Sequence, residues 1–281
     1  MSPSAETIRL AHSPDSDDAF MFFGLAEGRV DTEGLRFVHE LSDIESLNRR
    51  VSEGELDVSA VSFHAYAHLS DRYLLLPHGA SFGDGYGPVV VSRGAVTRNA
   101  IARGEVVVAT PGERTTAHLA LSLWAPGVRT RIRSFDSILE GVRDGALEAG
   151  VLIHEGQLTF ASEGLREVED LGRWWKRESG LPLPLGGNVV RRSLGPETIG
   201  RISRSLSRSI EYGLSHREEA LLHALKYARG LDRAGADRFI GMYVNEWTRR
   251  YGPEGRRAVQ TLLDRGHAAG LIPAVVAEYA A

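Results

Sequence analysis

A chain of 281 residues with 42% hydrophobic side chains is long enough for one large domain or two ordinary ones, and apolar enough to pack their cores. Its 33 basic and 37 acidic residues leave a formal net charge of -4, so nucleic acid and anionic membrane have no electrostatic reason to bind. Cysteine is absent, which excludes disulfides, thiolate nucleophiles and cysteine metal sites, and lysine stands only at Lys176 and Lys226, neither in a phosphate-binding loop.

The opening Met1 to Glu6 shows no basic segment leading into a long apolar run. No apolar run approaches the ~18 residues of a membrane-spanning helix. A cytoplasmic protein without a membrane partner is therefore expected.

The first half alternates two periodicities. Ile8 to Ser13 reads as a strand, Asp17 to Glu27 as a helix opened by acidic residues, and Arg36 to Leu41 as a second strand. Ser42 followed by Glu45 fits a capping box that opens a helix through Ser52, with a strand from Leu56 to Ser62 and a short helix from His64 to Leu69. The alternation returns after Arg103: strand Val106 to Val108, helix Thr115 to Trp124, strand Arg129 to Phe135, helix Ser137 to Asp144, strand Ala149 to Ile153. Two α/β units are implied.

An internal comparison supports the duplication. Glu53-Gly54-Glu55-Leu56-Asp57 before the strand Val58 to Ser62 resembles Asp144-Gly145-Ala146-Leu147-Glu148 before Ala149 to Ile153. In each, a glycine relaxes the backbone after a helix, a leucine anchors the turn and an apolar strand follows. Ser62 and His154 then stand at the carboxyl ends of equivalent strands, where open α/β sheets bind ligands.

Leu181-Pro182-Leu183-Pro184-Leu185-Gly186-Gly187-Asn188 reads as an extended return crossing. Beyond it the chain is largely helical, with Ile199, Ile202, Leu206 and Ile210 forming one apolar stripe after Gly195-Pro196, and another helix from Pro253. The expected organisation is a discontinuous first lobe, 1-95 and 188-281, a second lobe inserted at 96-187, and a cleft between them.

Several segments carry candidate chemistry. His154 emerges at the mouth of the cleft and titrates near neutral pH, which suits general acid–base work; a hydrogen bond to a loop is the alternative. Its neighbour Glu155 points to the opposite face of a strand and is read as a bystander. Ser13-Pro14-Asp15-Ser16-Asp17-Asp18 is read as a helix cap rather than a hard-metal site, because the spacing of a calcium loop is missing. Thr110-Pro111-Gly112 leads into Thr115-Thr116 at a helix start, which can offer amides to a ligand carboxylate or simply cap the helix. Gly79-Ala80-Ser81-Phe82-Gly83 matches the hydrolase nucleophile pattern by letter but runs into a glycine loop and a strand, so it is rejected. Trp174-Trp175 either line the cleft or pack against the crossing.

Together these segments resemble a known family. Ser13-Pro14 through Asp18-Ala19-Phe20, Leu47-Asn48-Arg49, Gly83 through Gly87-Pro88, Thr115-Thr116-Ala117, Ile153-His154-Glu155 and Trp174-Trp175 through Gly186 are similar to the 1,4-dihydroxy-6-naphthoate synthases of the futalosine route to menaquinone. The resemblance implies a two-lobe, periplasmic-binding-protein-like type II α/β fold with a helical C-terminal part. It implies a lyase acting on cyclic dehypoxanthinylfutalosine, a small-molecule carboxylate, with His154 as proton acceptor. It places substrate contacts at Ala60, Val61, Ser62, Thr116 and Ala117, with Asn48 as a further contact, and needs no metal or redox cofactor. Members of that family carry Ser-Pro-Cys-Pro-Asn-Asp where this chain has Ser13 to Asp18, so the acidic loop could select another ligand. The related chorismate dehydratase and a non-catalytic solute-binding protein share the fold and remain alternatives, as does a homodimer to a monomer.

Overall fold

The computed structural model describes residues 6–228 and 231–281; Met1 to Ala5, read above for a leader, lie outside the described residues. The chain opens with β1 (Glu6–His12), α1 (Ser16–Ala26), β2 (Leu35–Leu41), α2 (Ile44–Ser52), β3 (Val58–Ser62) and α3 (Phe63–Tyr66). The parallel order β2-β1-β3 is the one that two βαβ crossovers produce. Two short strands, β4 (Tyr73–Leu75) and β5 (Ser81–Gly83), follow.

The second unit repeats the scheme. It begins at β6 (Val89–Ser92) and α4 (Arg98–Ala102), then runs β7 (Val107–Thr110), α5 (Thr116–Trp124), β8 (Arg129–Ile132), α6 (Phe135–Arg143) and β9 (Ala149–Leu152). Here β8-β7-β9 are parallel and mirror β2-β1-β3 in order. After α7 (Gly156–Thr159), β10 (Arg166–Asp170) closes that sheet beside β6, and α8 (Leu171–Ser179) leads to β11 (Leu183–Arg191).

Each sheet receives one antiparallel strand on the far side of its parallel trio: β6 lies against β9, and β11 against β3, β4 and β5. Two segments therefore belong elsewhere than the sequence boundaries put them. Val89–Ser92 pairs in the second sheet although it precedes position 96, and Leu183 to Gly187 pair in the first although they precede 188. A short, wholly apolar strand reads the same whichever sheet it enters, which is why pattern alone misplaced them. The two connections pack closely where they meet: a Cβ on Gly172 would lie 1.9 Å from the Tyr86 carbonyl oxygen, and one on Gly83 would lie 2.0 Å from the same atom.

The tail contains α9 (Gly195–Ser215), α10 (Arg217–Ala224), α11 (Arg233–Tyr243), α12 (Glu246–Arg249) and α13 (Gly252–Ala268). Helix α1 packs against α9, α10 and α11, burying Phe20, Met21, Phe22 and Leu25 beside Ile202, Leu206 and Ile210. Ser209 ties the pair, donating to the Met21 carbonyl at 2.8 Å and accepting from the Leu25 amide at 3.1 Å. Among the described residues no helix is long and apolar enough to cross a membrane.

Candidate active site

A cleft of about 770 Å³, open solvent included, lies between the two sheets. Strand β3 brings Ala60, Val61 and Ser62 to it, the start of α5 brings Thr115, Thr116 and Ala117, and the turn after β9 brings Ile153, His154 and Gln157. Parallel strands running in the same sense deliver their carboxyl ends to one rim, which explains why segments so distant in sequence meet here. The acidic turn after β1 adds Ser13, Asp15, Asp17 and Asp18; the return strand adds Leu185, Gly186 and Gly187; α11 adds Phe239 and Tyr243.

His154 is held from two sides. Asp15 Oδ2 lies 3.1 Å from its Nδ1, and the Phe135 ring stands edge-on with centroids 4.1 Å apart. Asp15 also accepts a 2.8 Å hydrogen bond from the Ser13 hydroxyl. The capping expected of this loop is thus corrected. Asp15 occupies the N-cap position of α1, yet its side chain makes no cap hydrogen bond, and Asp18 turns back to accept from the Ser13 amide at 2.8 Å. A sequence can show that acids stand at a helix start but not that a second sheet supplies them with a histidine. The departure of this chain from the family pattern at Asp15 falls on the residue that contacts His154.

Glu155 is buried rather than a bystander, and accepts from the Ser16 hydroxyl at 3.3 Å. The nearby carboxyls repel one another in a dry environment. Burial, then Asp18, Asp15 and Glu155, push Asp17 well above the usual carboxylate range; burial is the main cause that raises Asp18 to about 6 and lifts Glu155. Asp15, His154 and Glu155 each bring one potential ligand atom within 4.8 Å of the others. Their nitrogen and oxygen donors are of the kind a divalent cation takes, and in this arrangement His154 Nδ1 and Asp15 Oδ2 contact each other directly at 3.1 Å.

Beside His154 on the same sheet, at the end of the neighbouring strand β7, the hydroxyl of Thr115 accepts from the His118 amide at 3.2 Å, capping α5, and donates to the Gly112 carbonyl at 2.9 Å. Thr116 donates its hydroxyl to the Leu185 carbonyl at 2.6 Å. Asn48 does not line the cleft. It is buried behind it, where Oδ1 accepts from the Ser62 amide at 3.0 Å and Nδ2 lies 3.4 Å from both the Ser62 hydroxyl and the Arg114 carbonyl. The capping box expected from Ser42 and Glu45 is likewise replaced: Asp43 caps α2 by accepting from the Ser46 amide at 3.0 Å, while Glu45 reaches the Arg114 amide across the cleft at 3.4 Å. Trp174 and Trp175 take the packing alternative, and the Trp175 indole donates to the Pro182 carbonyl at 3.2 Å.

Paired α/β sheets that exchange strands and face each other across a cleft define a protein of the periplasmic-binding-protein-like fold. A Candida albicans protein described as having the generic periplasmic binding protein fold matches over 96% of this chain and 92% of its own, with TM-score 0.71 and 11% identity. The match to a crystal structure of a protein from Archaeoglobus fulgidus is tighter: TM-score 0.90 and 44% identity, covering 95% and 98% of the two chains. The family model described as menaquinone biosynthesis matches residues 8–268. Relatives named 1,4-dihydroxy-6-naphtoate synthase are 41% identical in Thermus thermophilus, over 95% of this chain and 96% of theirs, and 38% identical in Streptomyces coelicolor, over 97% of each. The chain belongs to the menaquinone biosynthesis family and is an enzyme of that route.

Proposed function

We propose that this enzyme is a 1,4-dihydroxy-6-naphthoate synthase, a carbon–carbon lyase acting on cyclic dehypoxanthinylfutalosine in the cytoplasm. The observation that carries the reading is the convergence of His154, Ser62 and Thr116 on one cleft, in a chain 41% identical to a synthase of that name over 95% of its length. The substrate is a small carboxylate. With the Thr115 side chain turned to the His118 amide, the start of α5 has the Thr116 and Ala117 amides to offer that carboxylate. Ala60, Val61 and Ser62 form the wall against which the ring system rests, and Asn48 acts on substrate only through Ser62.

His154 is the base that removes the proton and starts the fragmentation to an aromatic product. Its Nδ1 faces Asp15, so the neutral ring carries its proton there and Nε2 is the accepting nitrogen. A positioned base contributes about 10² to 10⁴ in rate, and binding between two lobes supplies orientation and excludes water.

The test is turnover of cyclic dehypoxanthinylfutalosine by the purified protein and by His154→Ala, with 1,4-dihydroxy-6-naphthoate followed by chromatography. Product from wild type and a loss of about 10²-fold or more in the folded variant supports the reading. No product, or dehydration of chorismate in its place, refutes it.

A further inference from the structure

We propose that Asp15 is a positioning residue for His154, fixing its tautomer and stabilising its protonated form from across the cleft. The inference rests on the reading of His154 as the base and adds to it a partner drawn from the opposite side of the molecule.

Asp15 lies on the turn between β1 and α1, beside the first sheet, whereas His154 follows β9 in the second. Their 3.1 Å contact therefore crosses the cleft, and the base is complete only while the two sheets stand in this arrangement. The same crossing is made next in sequence by Ser16 to Glu155 at 3.3 Å, so the whole turn 154–155 is seated on the turn 15–16.

The carboxylate is held for this contact. Ser13 donates its hydroxyl to Asp15 Oδ2 at 2.8 Å, and the residue is 5% exposed. An aspartate at an N-cap ordinarily accepts from an amide of the first turn, and replacing such a cap weakens a helix measurably. Asp15 makes no such bond, because its carboxylate is turned to the histidine instead. A carboxylate on Nδ1 holds the proton on that nitrogen, leaves Nε2 to accept, and lowers the free energy of the imidazolium that forms when the ring takes a proton. Phe135, edge-on at 4.1 Å, restrains the ring plane. The other titratable groups around the pair are Asp17 and Asp18 on α1, Glu155 ahead of α7, and His12 on β1.

The test uses the full chain with Asp15→Asn, Asp15→Glu and Ser13→Ala. Folding is checked by thermal melting. In wild type, ¹⁵N spectra of the His154 ring, assigned by its loss in His154→Gln, show the Nδ1–H tautomer. In Asp15→Asn the ring titrates lower by about one pH unit or more. In turnover, kcat falls about 10²-fold or more with KM within about threefold, and the acidic limb of the pH profile moves with the ring. Asp15→Glu restores part of the loss, and Ser13→Ala gives a smaller shift in the same direction, which decides the matter should Asp15→Asn fail to fold. An unchanged tautomer and titration, or wild-type kcat and pH profile in Asp15→Asn, overturns the proposal. Should wild type fail to turn over the substrate, the synthase reading falls while the spectra still decide the pair.

Discussion

The hydroxyl of Tyr243 donates a 2.7 Å hydrogen bond to Oε1 of Gln157, joining the last turn of α11 to the segment that carries His154. Both side chains line the cleft and both are buried. Burial raises the Tyr243 phenol well above its usual range, so it stays a neutral donor throughout the working pH range.

Tyr243→Phe keeps the ring and the shape of the cleft but removes the bond, whose net worth is about 0.5–1.5 kcal/mol. The arrangement of the two sheets that surrounds a ligand loses that stabilisation, while the base is untouched. KM and the product dissociation constant are expected to rise about 3- to 10-fold with kcat nearly constant, as read by steady-state kinetics and product titration. An unchanged KM would show that the bond is incidental to binding.

Asn48→Ala leaves the Ser62 amide without its 3.0 Å acceptor and cuts the 3.4 Å link to the Arg114 carbonyl. Stranding a buried amide costs about 1–3 kcal/mol, so the melting temperature should drop by several degrees. Because Ser62 sits on the cleft wall, KM should rise as well. A variant with wild-type melting and wild-type KM would remove Asn48 from the account.

Much of this arrangement follows from pattern. The switches between period 2 and period 3.6 place β1 to β3 and β7 to β9, and the carboxyl ends of strands in open α/β sheets are where ligands bind, so pattern puts Ser62 and His154 at one site, while the family resemblance adds Thr116. What pattern lacks is the partner across a gap. Asp15 has the sequence of a helix cap, and nothing within 10 residues of it signals His154. Asn48 belongs to the right neighbourhood but faces the back of Ser62, a distinction of side-chain direction. Phe239 and Tyr243 lie on a tail helix whose apolar face looks like any core face. Strands β6 and β11 exchange sheets because the connections allow it, which composition does not record.

Asp18 provides a pH test with a defined sign. Burial raises its carboxyl from an ordinary value near 3.8 to about 6. Between these values the folded protein binds more protons than the unfolded chain, so this group makes stability fall as pH rises, and the cost levels off above pH 6 at about 3 kcal/mol. Asp18→Asn keeps an oxygen to accept from the Ser13 amide and removes the ionisation. Urea unfolding should find the variant gaining on wild type from pH 4.5 to 7.5; a constant difference would refute the assignment.

His78 works in the opposite sense. Burial lowers its imidazole from 6.5 to about 4, with Nε2 3.0 Å from the Ser203 hydroxyl, between the first sheet and α9. Below pH 6.5 the unfolded chain takes up a proton that the folded protein refuses, so stability is lost as pH falls from 6.5 to 4, by up to about 3 kcal/mol from this group. His12, lowered to about 3 where it stacks on Phe22 at 4.3 Å, and His64, lowered to about 4, act in the same direction. These three histidines pull against the slope of Asp18 and of Asp17, whose carboxyl is also raised by burial. His78→Gln retains a polar atom for Ser203 and cannot titrate; it lowers stability at pH 7 through lost packing, yet gains on wild type as pH falls from 6.5 to 4. Unfolding free energies measured at four or five pH values across that window isolate the slope from the offset, and a variant whose curve runs parallel to wild type would place the acid sensitivity elsewhere.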